Sequence, residues 1–417
     1  MSHSRRDFLK ASFGASTLVS LGPTVPVFLA RSALAARSRR DADDTVLIVV
    51  QLSGGNDGLN TVVPYGDDAY ARNRSTLRLP ERELHKIDSL LGFHPRMKGF
   101  ARLFDQGHLS IVQGVGYPNP NQDHPSAMQN WHTARPNQSN RQTGWLGRAA
   151  DSLSDSEATD VPAAFLGQIA QPFALNAEKA VIPSIRSLGQ STLQAMPGPG
   201  GGHLHRKRMV EAAELPRPDD DNPLLDFLRR GSLRAYAASQ KIEAETQTAA
   251  QTAAQTAAES ADYPRFQLAR TLRMVAQLIR ADLGIRIYYT ELGGGGIGGF
   301  DNHANQLGNH CALLEQLSES VAALVDDLKV DRLLDRVLLM TFSEFGRTVA
   351  ENGRRGTGHG SAAPMFVAGG GLQGGLVGTH PNLTDLEGGG QKFHTDFRRV
   401  YATVLDRWLG IDSRTVL

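Results

Sequence analysis

The stretch Arg336-Val337-Leu338-Leu339-Met340-Thr341-Phe342 is almost wholly apolar and leads directly into Ser343-Glu344-Phe345-Gly346-Arg347-Thr348. Such an apolar run is typical of a central strand that is covered on both faces of a parallel sheet. Ligands of open α/β sheets bind beyond the carboxyl ends of these strands. The sequence therefore predicts that Glu344 lies at a ligand-binding edge, and the glycine-flanked His359 follows 15 residues later.

Similar strands and amphipathic helices alternate along the rest of the chain. The predicted strands are Val46–Leu52, Leu109–Gly114, Ala163–Leu166, Phe173–Leu175, Val181–Ile185, Ile285–Leu292 and Pro364–Ala368. The predicted helices are Pro95–Gln106, one after Asp123, Leu224–Ala244, Gln247–Ala258, Phe266–Leu283, a long one beginning near His303, and Phe397–Leu409. Because strand–helix–strand repeats give a parallel sheet, we expect a three-layer α/β/α sandwich with a mostly parallel central sheet. No separate linker is visible, so residues 36–417 are predicted to form one domain.

The first residues carry an export signature. A twin-arginine motif, Ser4-Arg5-Arg6-Asp7-Phe8-Leu9-Lys10, precedes a mildly apolar stretch and the small residues Ala33-Leu34-Ala35. This pattern predicts a twin-arginine signal peptide over residues 1–35 and a mature protein in the periplasm or secreted. The expected partner is the twin-arginine export machinery, which carries proteins already folded. The one cysteine, Cys311, excludes an intramolecular disulfide framework.

Several classes of protein are disfavoured by composition and motif. The net charge of +1 gives no argument for nucleic acid binding. No apolar run reaches the ~20 residues of a spanning helix, so we do not expect an integral membrane protein after signal cleavage. The glycine-rich stretch from Gly293 to Gly298 has the spacing of a dinucleotide fingerprint. It lacks the acid expected about 20 residues later, which disfavours a nucleotide-dependent oxidoreductase.

Acidic and imidazole side chains follow the ends of the predicted strands. They are Asp57, Asp123 with His124, Asp301 with His303, Glu344, and His359. Mixed carboxylate and imidazole ligands suit zinc, manganese or magnesium-type hydrolytic centres. The spacing of Asp301 and His303 allows joint chelation only if this segment is a loop, because the two side chains would diverge in a helix.

Each of these residues also has a structural interpretation. Asp57 would form an Asx turn, and Asp123 would cap the helix that follows it. Asp301 would cap the long helix, with His303 in its first turn. His359 would be a surface loop residue. Arg347 would either hold an anionic substrate oxygen bidentately or only neutralise Glu344.

The ordered motifs resemble the exported bacterial proteins grouped as the domain of unknown function 1501 family, often labelled sulfatase-like. The motifs that carry the resemblance are the twin-arginine start, Leu52-Ser-Gly-Gly-Asn-Asp-Gly-Leu-Asn60, Tyr117-Pro-Asn-Pro-Asn121 with His124, Gly299-Phe-Asp-Asn-His303 with Gln306, Ser343-Glu-Phe-Gly-Arg-Thr348, Gly358-His-Gly360, and Asp396-Phe-Arg-Arg-Val-Tyr-Ala-Thr-Val-Leu405. They span essentially the whole mature chain.

The family looks related to the alkaline phosphatase and sulfatase superfamily, and this implies an alkaline-phosphatase-like sandwich with metals at strand ends. The resemblance implies one or two divalent metals (zinc, manganese, magnesium or calcium). The implied metal ligands are Asp57, Asp301, His303, Glu344 and His359. Where relatives tend to have Asp-His after the later strand, this chain has Glu344-Phe345.

Two functions follow as expectations. The first is an exported metal-dependent hydrolase that acts on phosphate or sulfate esters of a small molecule or glycan. In it, Asp123 and His124 lie near the attacking or leaving group, and Arg347 lies on the anion. The alternative is a non-catalytic exported binding or assembly protein with the same fold. Asp123 favours this alternative because relatives tend to carry serine before the histidine at that helix start.

Overall fold

A computed structural model describes residues 44–136, 138, 141–154, 161–186, 262–293 and 299–417. The predicted twin-arginine segment, both helices predicted between residues 224 and 258, and residues 294–298 of the glycine-rich stretch lie outside the described residues. The predictions for those segments stand as predictions.

Sixteen strands are present in the described chain. They are β1 (Val46–Leu52), β2 (Val62–Val63), β3 (His85–Lys86), β4 (Gly92–Phe93), β5 (Leu109–Gly116), β6 (Ala163–Leu166), β7 (Ser184–Ile185), β8 (Ile287–Leu292), β9 (Val337–Phe342), β10 (Arg347–Glu351), β11 (Thr357–His359), β12 (Ala363–Gly369), β13 (Gly375–Val377), β14 (Leu386–Glu387), β15 (Gly390–Gln391) and β16 (Thr395–Asp396).

The α-helices of the same residues are α1 (Asp68–Asn73), α2 (Lys98–Asp105), α3 (His124–Thr133), α4 (Trp145–Leu153), α5 (Gln267–Arg280), α6 (Gln306–Val330), α7 (Phe397–Thr403) and α8 (Ser413–Val416). The segment Val404–Leu409 extends α7 as a wider π-helical turn, which completes the predicted C-terminal helix. None of the helices in the described ranges combines the length and the apolar character needed to cross a membrane.

The central sheet confirms the predicted α/β architecture. Its strand order is β13-β5-β12-β9-β1-β8-β6-β7, and β16 pairs with β5. Strand β1 is parallel to both of its neighbours, β8 and β9. Strand β12 runs antiparallel to both β9 and β5, so it reverses the direction that the other strands of this sheet share. The sheet is therefore mostly parallel, as predicted.

Helices cover both faces of this sheet. Alternate residues of β1 point to opposite sides, with Ile48 and Val50 in one apolar cluster and Leu47 and Val49 in the other. The first cluster is completed by α2, α5 and α6, and the second by α3, α4 and α7. Strands buried on both faces require apolar side chains at every position, which accounts for the continuous apolar runs in the sequence.

Two predictions of local structure were wrong. Phe173–Leu175 is a 3₁₀ turn rather than a strand, and its first residue follows Pro172, which caps that turn. The long helix α6 begins at Gln306 after Asn305, later than predicted. As a consequence, Asp301 and His303 lie in a loop. Asp301 does not cap the helix, and the two side chains are free to face one point.

A smaller antiparallel sheet lies beyond the end of β9. Its strand order is β11-β10-β15-β14. Within it, β10 and β11 place Arg347 directly opposite His359. The pairing brings the histidine back toward the carboxyl end of β9, where Glu344 lies.

Candidate metal centre

Four side chains converge at the carboxyl edge of the central sheet. The Oδ1 atom of Asp301 lies 3.3 Å from Nε2 of His124, 3.0 Å from Nε2 of His303 and 3.3 Å from Nε2 of His359. The Nε2 atoms of His303 and His359 are 2.9 Å apart. We call these four residues the histidine–aspartate cluster. It joins three imidazole nitrogens and one carboxylate oxygen at one point.

The four members of the cluster come from three structural elements. His124 is the first residue of α3, which follows β5 through a loop. Asp301 and His303 lie in the loop between β8 and α6, and His359 ends β11. The loop after β1 passes close by, because a Cβ atom on Gly54 would lie 2.5 Å from the backbone nitrogen of Asp301. Only glycine fits there, and its φ of +112° is also unfavourable for other residues.

Hydrogen bonds fix how two of the histidines face the cluster. The Nδ1 atom of His124 lies 2.8 Å from Oε1 of Glu344, and Nδ1 of His359 lies 2.6 Å from the backbone oxygen of Gln122. Both partners are acceptors, so each Nδ1 carries a hydrogen and donates. This tautomer leaves the Nε2 lone pair directed at the cluster, an arrangement typical of metal-bound histidines.

Burial and neighbouring charges set the protonation of the cluster. Burial alone would raise the pKa of Asp301, but the hydrogen bond and charge of Arg347 outweigh it and hold that pKa at about 2. The hydrogen bond to Glu344 raises the pKa of His124, whereas burial lowers the pKa of His303. The carboxylate is therefore ionised at neutral pH and able to bind a cation.

Arg347 is a fully buried side chain that hydrogen-bonds to Asp301 of the cluster. Its Nη2 donates to Oδ1 of Asp301 at 2.6 Å and to the backbone oxygen of Phe300 at 3.0 Å. The same Nη2 also contacts the backbone oxygen of Gly54, whereas Nε donates to Gly55 and Nη1 donates to Thr357. In this structure the donors of Arg347 are used to fix Asp301 and the surrounding loops, and its role as an anion ligand stays a prediction.

Glu344 occupies the predicted position after β9, but it faces His124. Its Oε1 accepts from the backbone nitrogen of Gly54 at 2.9 Å as well as from His124, and its side chain is only 3% exposed. Phe345 packs against the rings of both His124 and His359, with centroids 4.8 and 4.6 Å away. Glu344 and Phe345 therefore orient the histidines that they contact.

The structure places Asp57 in a buried ion pair. Arg74 donates to both of its carboxylate oxygens, at 2.6 and 2.9 Å, and Gln306 donates to Oδ2 as well. Burial would raise the pKa of Asp57, but Arg74 lowers it to about 2. Asp57 is not brought into the cluster, and no feature of the sequence marked Arg74 as its partner.

Asp123 lies at the mouth of the cluster, one residue before His124. Its carboxylate accepts from the backbone nitrogen of Ser126 at 3.2 Å and from the Ser126 hydroxyl at 2.8 Å, so it caps α3. These hydrogen bonds, together with the charges of His124 and His359, lower its pKa. The side chain is exposed. Asp123 thus caps the helix and also presents a carboxylate to solvent beside the cluster.

The donor set of the cluster fits a divalent transition metal. The Nε2 atom of His124 is buried and has no hydrogen-bond partner. A buried polar atom without a partner is costly and calls for an explanation, and a bound cation supplies one. Ligand atoms of His124, Asp301 and His359 all lie within 4.8 Å of one another, close enough for one ion.

Comparison with solved structures finds similar folds at low identity. The chain is similar to the C-terminal periplasmic domain of EcEptC from Escherichia coli in complex with zinc (TM-score 0.39, 9% identity, 78% of this chain and 73% of that one). It is also similar to the lipoteichoic acid synthase LtaP from Listeria monocytogenes (TM-score 0.38, 9% identity, 89% and 73%). A third is the alkaline phosphatase from the Antarctic bacterium TAB5 (TM-score 0.36, 10% identity, 88% and 98%). Similarity at this level does not indicate a shared function.

The sequence comparisons give a family but no close relative. No curated protein sequence matches the chain. The family model described as "Protein of unknown function (DUF1501)" matches residues 44–417, which is nearly all of the chain. The resemblance that the motifs carried is thereby confirmed, and the chain belongs to the DUF1501 family.

Proposed function

We propose that the protein is an exported, metal-dependent hydrolase of phosphate or sulfate esters. The observation that carries the proposal is the convergence of three imidazole nitrogens and the Asp301 carboxylate at the carboxyl edge of the sheet. The ligands are also accessible: the side chains of His124, His303 and His359 are 32%, 38% and 20% exposed. A metal held by protein ligands with one open side is typical of catalytic centres rather than structural ones.

Within this proposal His124, Asp301, His303 and His359 hold the ion. A bound divalent metal would polarise the ester and lower the pKa of a bound water. The protein's own contribution is to keep the ligands in place. Glu344 and Gln122 hold two of the imidazoles in the tautomer that binds metal, and Arg347 holds the carboxylate.

Charge favours an anionic substrate. Asp301 contributes the one negative charge among the four ligands, since metal-bound histidines are neutral. A divalent cation would leave the four ligands with a formal charge of +1, and the ion itself would bind a phosphate or sulfate group. Without the metal, Arg347 neutralises Asp301, and the nearby Glu344 and Asp123 carboxylates do not attract such a group. We therefore expect binding of an anionic ester to depend on the metal.

Asp123 is the carboxylate that we place beside the reacting groups. It is exposed next to His124, and its low pKa keeps it ionised at neutral pH. An ionised carboxylate there can accept a hydrogen bond from a water or hydroxyl group in the cluster and orient it, although its lowered pKa makes it a weaker base than an ordinary carboxylate. In this proposal His124 binds the metal instead of exchanging a proton, because Glu344 and the cluster use both of its nitrogens.

The export part of the proposal rests on the sequence. The twin-arginine pattern before residue 36 predicts a folded protein in the periplasm or outside the cell, acting on small-molecule or glycan esters. Export after folding would allow the metal to be loaded in the cytoplasm. Fusion of residues 1–43 to a reporter that is active only after folded export tests this part. Replacement of Arg5-Arg6 by two lysines should abolish the signal.

The hydrolase is tested with a panel of phosphate and sulfate monoesters and diesters, each assayed with zinc, manganese, magnesium or calcium. We expect turnover of at least one ester and a loss of at least about 100-fold in kcat/KM for Asp301→Asn. Asp326→Asn is the matched control, because Asp326 forms a half-exposed pair with Arg102 on α2. Turnover unaffected by Asp301→Asn would overturn the assignment of the site.

A non-catalytic binding protein is the second candidate, and the environment of Arg347 favours it. This cation contacts Asp301 but is fully buried, so it offers no donor to a substrate anion. A protein of this kind would bind metal and ligand through the same cluster without turnover. It is favoured if the metal-loaded protein hydrolyses none of the esters, and a single confirmed turnover rejects it.

A further inference from the structure

We propose that the cluster holds one metal ion rather than two, that the ion belongs to the zinc class, and that Arg74 provides the positive charge that Asp57 would otherwise take from a second metal. This inference rests on the metal centre of the proposed function. It concerns how many ions bind and of which kind, so it can fail while the hydrolase proposal survives.

The types of ligand atom in the cluster indicate which metal ion it would bind. Three imidazole nitrogens and one carboxylate oxygen form a nitrogen-rich set, which suits zinc and its transition-metal neighbours. Magnesium and calcium prefer sites made of oxygen atoms. Ligand atoms bonded to zinc at ~2.0–2.1 Å lie about 3.3–3.4 Å from one another at tetrahedral angles, and a water or substrate at a catalytic centre would be a further ligand. The distances among His303, His359 and Asp301 are 2.9, 3.0 and 3.3 Å, so only a small expansion would be needed.

A second ion would lie about 3.5–4 Å from the first ion and would need ligands of its own. Within the part of the chain that the structure describes, His124, Asp301 and His359 form one group that could hold an ion, and His303 extends it through the same Asp301 and His359 atoms. Glu344 is next to the cluster, but it is buried, and His124 and the Gly54 backbone both donate to its Oε1. One oxygen of the neighbouring carboxylate is therefore already used.

Asp57 is satisfied as well, by a cation that the protein supplies. Arg74 is fully buried and binds both carboxylate oxygens. Its remaining donors reach the backbone oxygens of Val349 at 2.7 Å and Thr348 at 2.9 Å, which hold the guanidinium in place. A metal on Asp57 would have to displace this group and leave a buried charge without a partner, which is strongly unfavourable.

The number of ions is tested on the wild-type protein. The metal-free chain is titrated by calorimetry with zinc, magnesium or calcium chloride, and bound metal is then counted by elemental analysis. We expect one zinc per chain, bound at least about 100-fold more tightly than magnesium or calcium. Two ions per chain, or magnesium binding as tight as zinc, would overturn the inference.

Variants identify the ligands. His359→Ala should weaken zinc binding by at least about 100-fold. This is more than the loss of about 10–100-fold that is typical when a residue that only hydrogen-bonds to a metal ligand is replaced. His108→Ala is the matched control, because His108 contacts the Gly369 backbone at the amino end of β5. A folded Asp57→Asn variant should keep one zinc per chain with unchanged affinity. A loss of bound zinc in that variant would contradict the inference, and if it does not fold, the wild-type count decides.

The outcomes separate this inference from the proposed hydrolase. One zinc per chain without turnover of any ester would support the inference and reject the hydrolase. Turnover by a protein that holds two ions per chain would do the reverse. A chain that binds none of the three metals would reject the inference, and a chain that also binds no manganese would reject both.

Discussion

The Nε2 atoms of His303 and His359 lie 2.9 Å apart, although 56 residues separate them in the chain. Two imidazole nitrogens approach this closely only if a proton or a cation lies between them. His359 already donates from Nδ1 to the Gln122 carbonyl. Its Nε2 therefore presents a lone pair to His303, and Asp301 adds a carboxylate oxygen at 3.0 Å from the same His303 nitrogen. Either a hydrogen on the His303 nitrogen or a cation bound by both imidazoles accounts for this contact, and the zinc titration distinguishes them.

Glu344→Gln should weaken zinc binding by about 10–100-fold and leave the fold intact. The Gln amide oxygen can still accept from Gly54 and His124, and the amide nitrogen can donate to the Ser343 hydroxyl, which lies 3.2 Å from the Glu344 Oε2. Only the negative charge behind His124 is lost. Metal affinity is measured by competition with a chromogenic chelator, and circular dichroism monitors the fold.

The control for this substitution is Glu319→Gln. Glu319 also accepts from a backbone nitrogen, that of Gly99 at 2.8 Å, but it lies on α6 against α2. Its substitution should leave zinc affinity unchanged. Equal affinities for wild type and Glu344→Gln would show that the His124–Glu344 contact does not support the metal.

Much of the cluster could be predicted from the sequence, because its residues lie next to the ends of predicted strands. Asp301, His303 and His359 each follow a predicted strand or precede one, and the parallel sheet brings such positions to one edge. The pairing of specific atoms was not predictable, because it depends on side chains far apart in sequence. Arg74 shows this best. It lies 17 residues from Asp57 in a polar segment, and in the folded chain the two side chains are buried and paired.

Stability should fall as the pH is lowered below about 6.5. Burial lowers the pKa of His94 and His132 to about 3 and that of His310 to about 4. In the unfolded chain these groups titrate near 6.5. Between pH 6.5 and 4 the unfolded state therefore binds more protons, so stability is full above pH 6.5 and is lost toward pH 4. Each histidine contributes a slope of about 1.4 kcal/mol per pH unit to the free energy of unfolding.

Urea unfolding of the metal-free protein at several pH values measures this slope. His132→Asn should reduce the pH dependence of the free energy of unfolding by the contribution of one proton, about 1.4 kcal/mol per pH unit. Asparagine can still donate to Gln51, but it does not titrate. Tyr289→Phe is the control, since Tyr289 donates to the same Gln51 oxygen without titrating in this range. A slope that is equal in His132→Asn and wild type would contradict the assignment of His132 as a buried neutral group.

Arg74→Met should destabilise the protein by about 3–5 kcal/mol, since it leaves the buried Asp57 carboxylate without its partner. The double variant Arg74→Met/Asp57→Asn should recover part of this loss, because no charge is then buried. Arg102→Met is the control: Arg102 and Asp326 are 39% and 40% exposed, and loss of such a surface pair costs about 0–1 kcal/mol. Urea unfolding measures all three, and equal losses for Arg74→Met and Arg102→Met would contradict the prediction.

Arg347→Lys distinguishes positioning of Asp301 from binding of the substrate anion. Arg347 donates to Asp301 and to four backbone oxygens, and a lysine has too few donors to replace these contacts. If Arg347 holds Asp301, zinc affinity should fall by about 10–100-fold. The KM for an anionic ester at saturating zinc should then change by less than about 3-fold.

The opposite pattern would identify Arg347 as a substrate ligand. In that case zinc affinity would stay at the wild-type value, and KM would rise because the anion loses a bidentate partner. Arg398→Lys is the matched control, because Arg398 binds Asp396 at the start of α7 in a partly exposed pair. It should change neither quantity. The burial of Arg347 favours the first pattern, since a guanidinium that is closed off from solvent can reach a substrate only if the loops around Gly54 and Phe300 move apart.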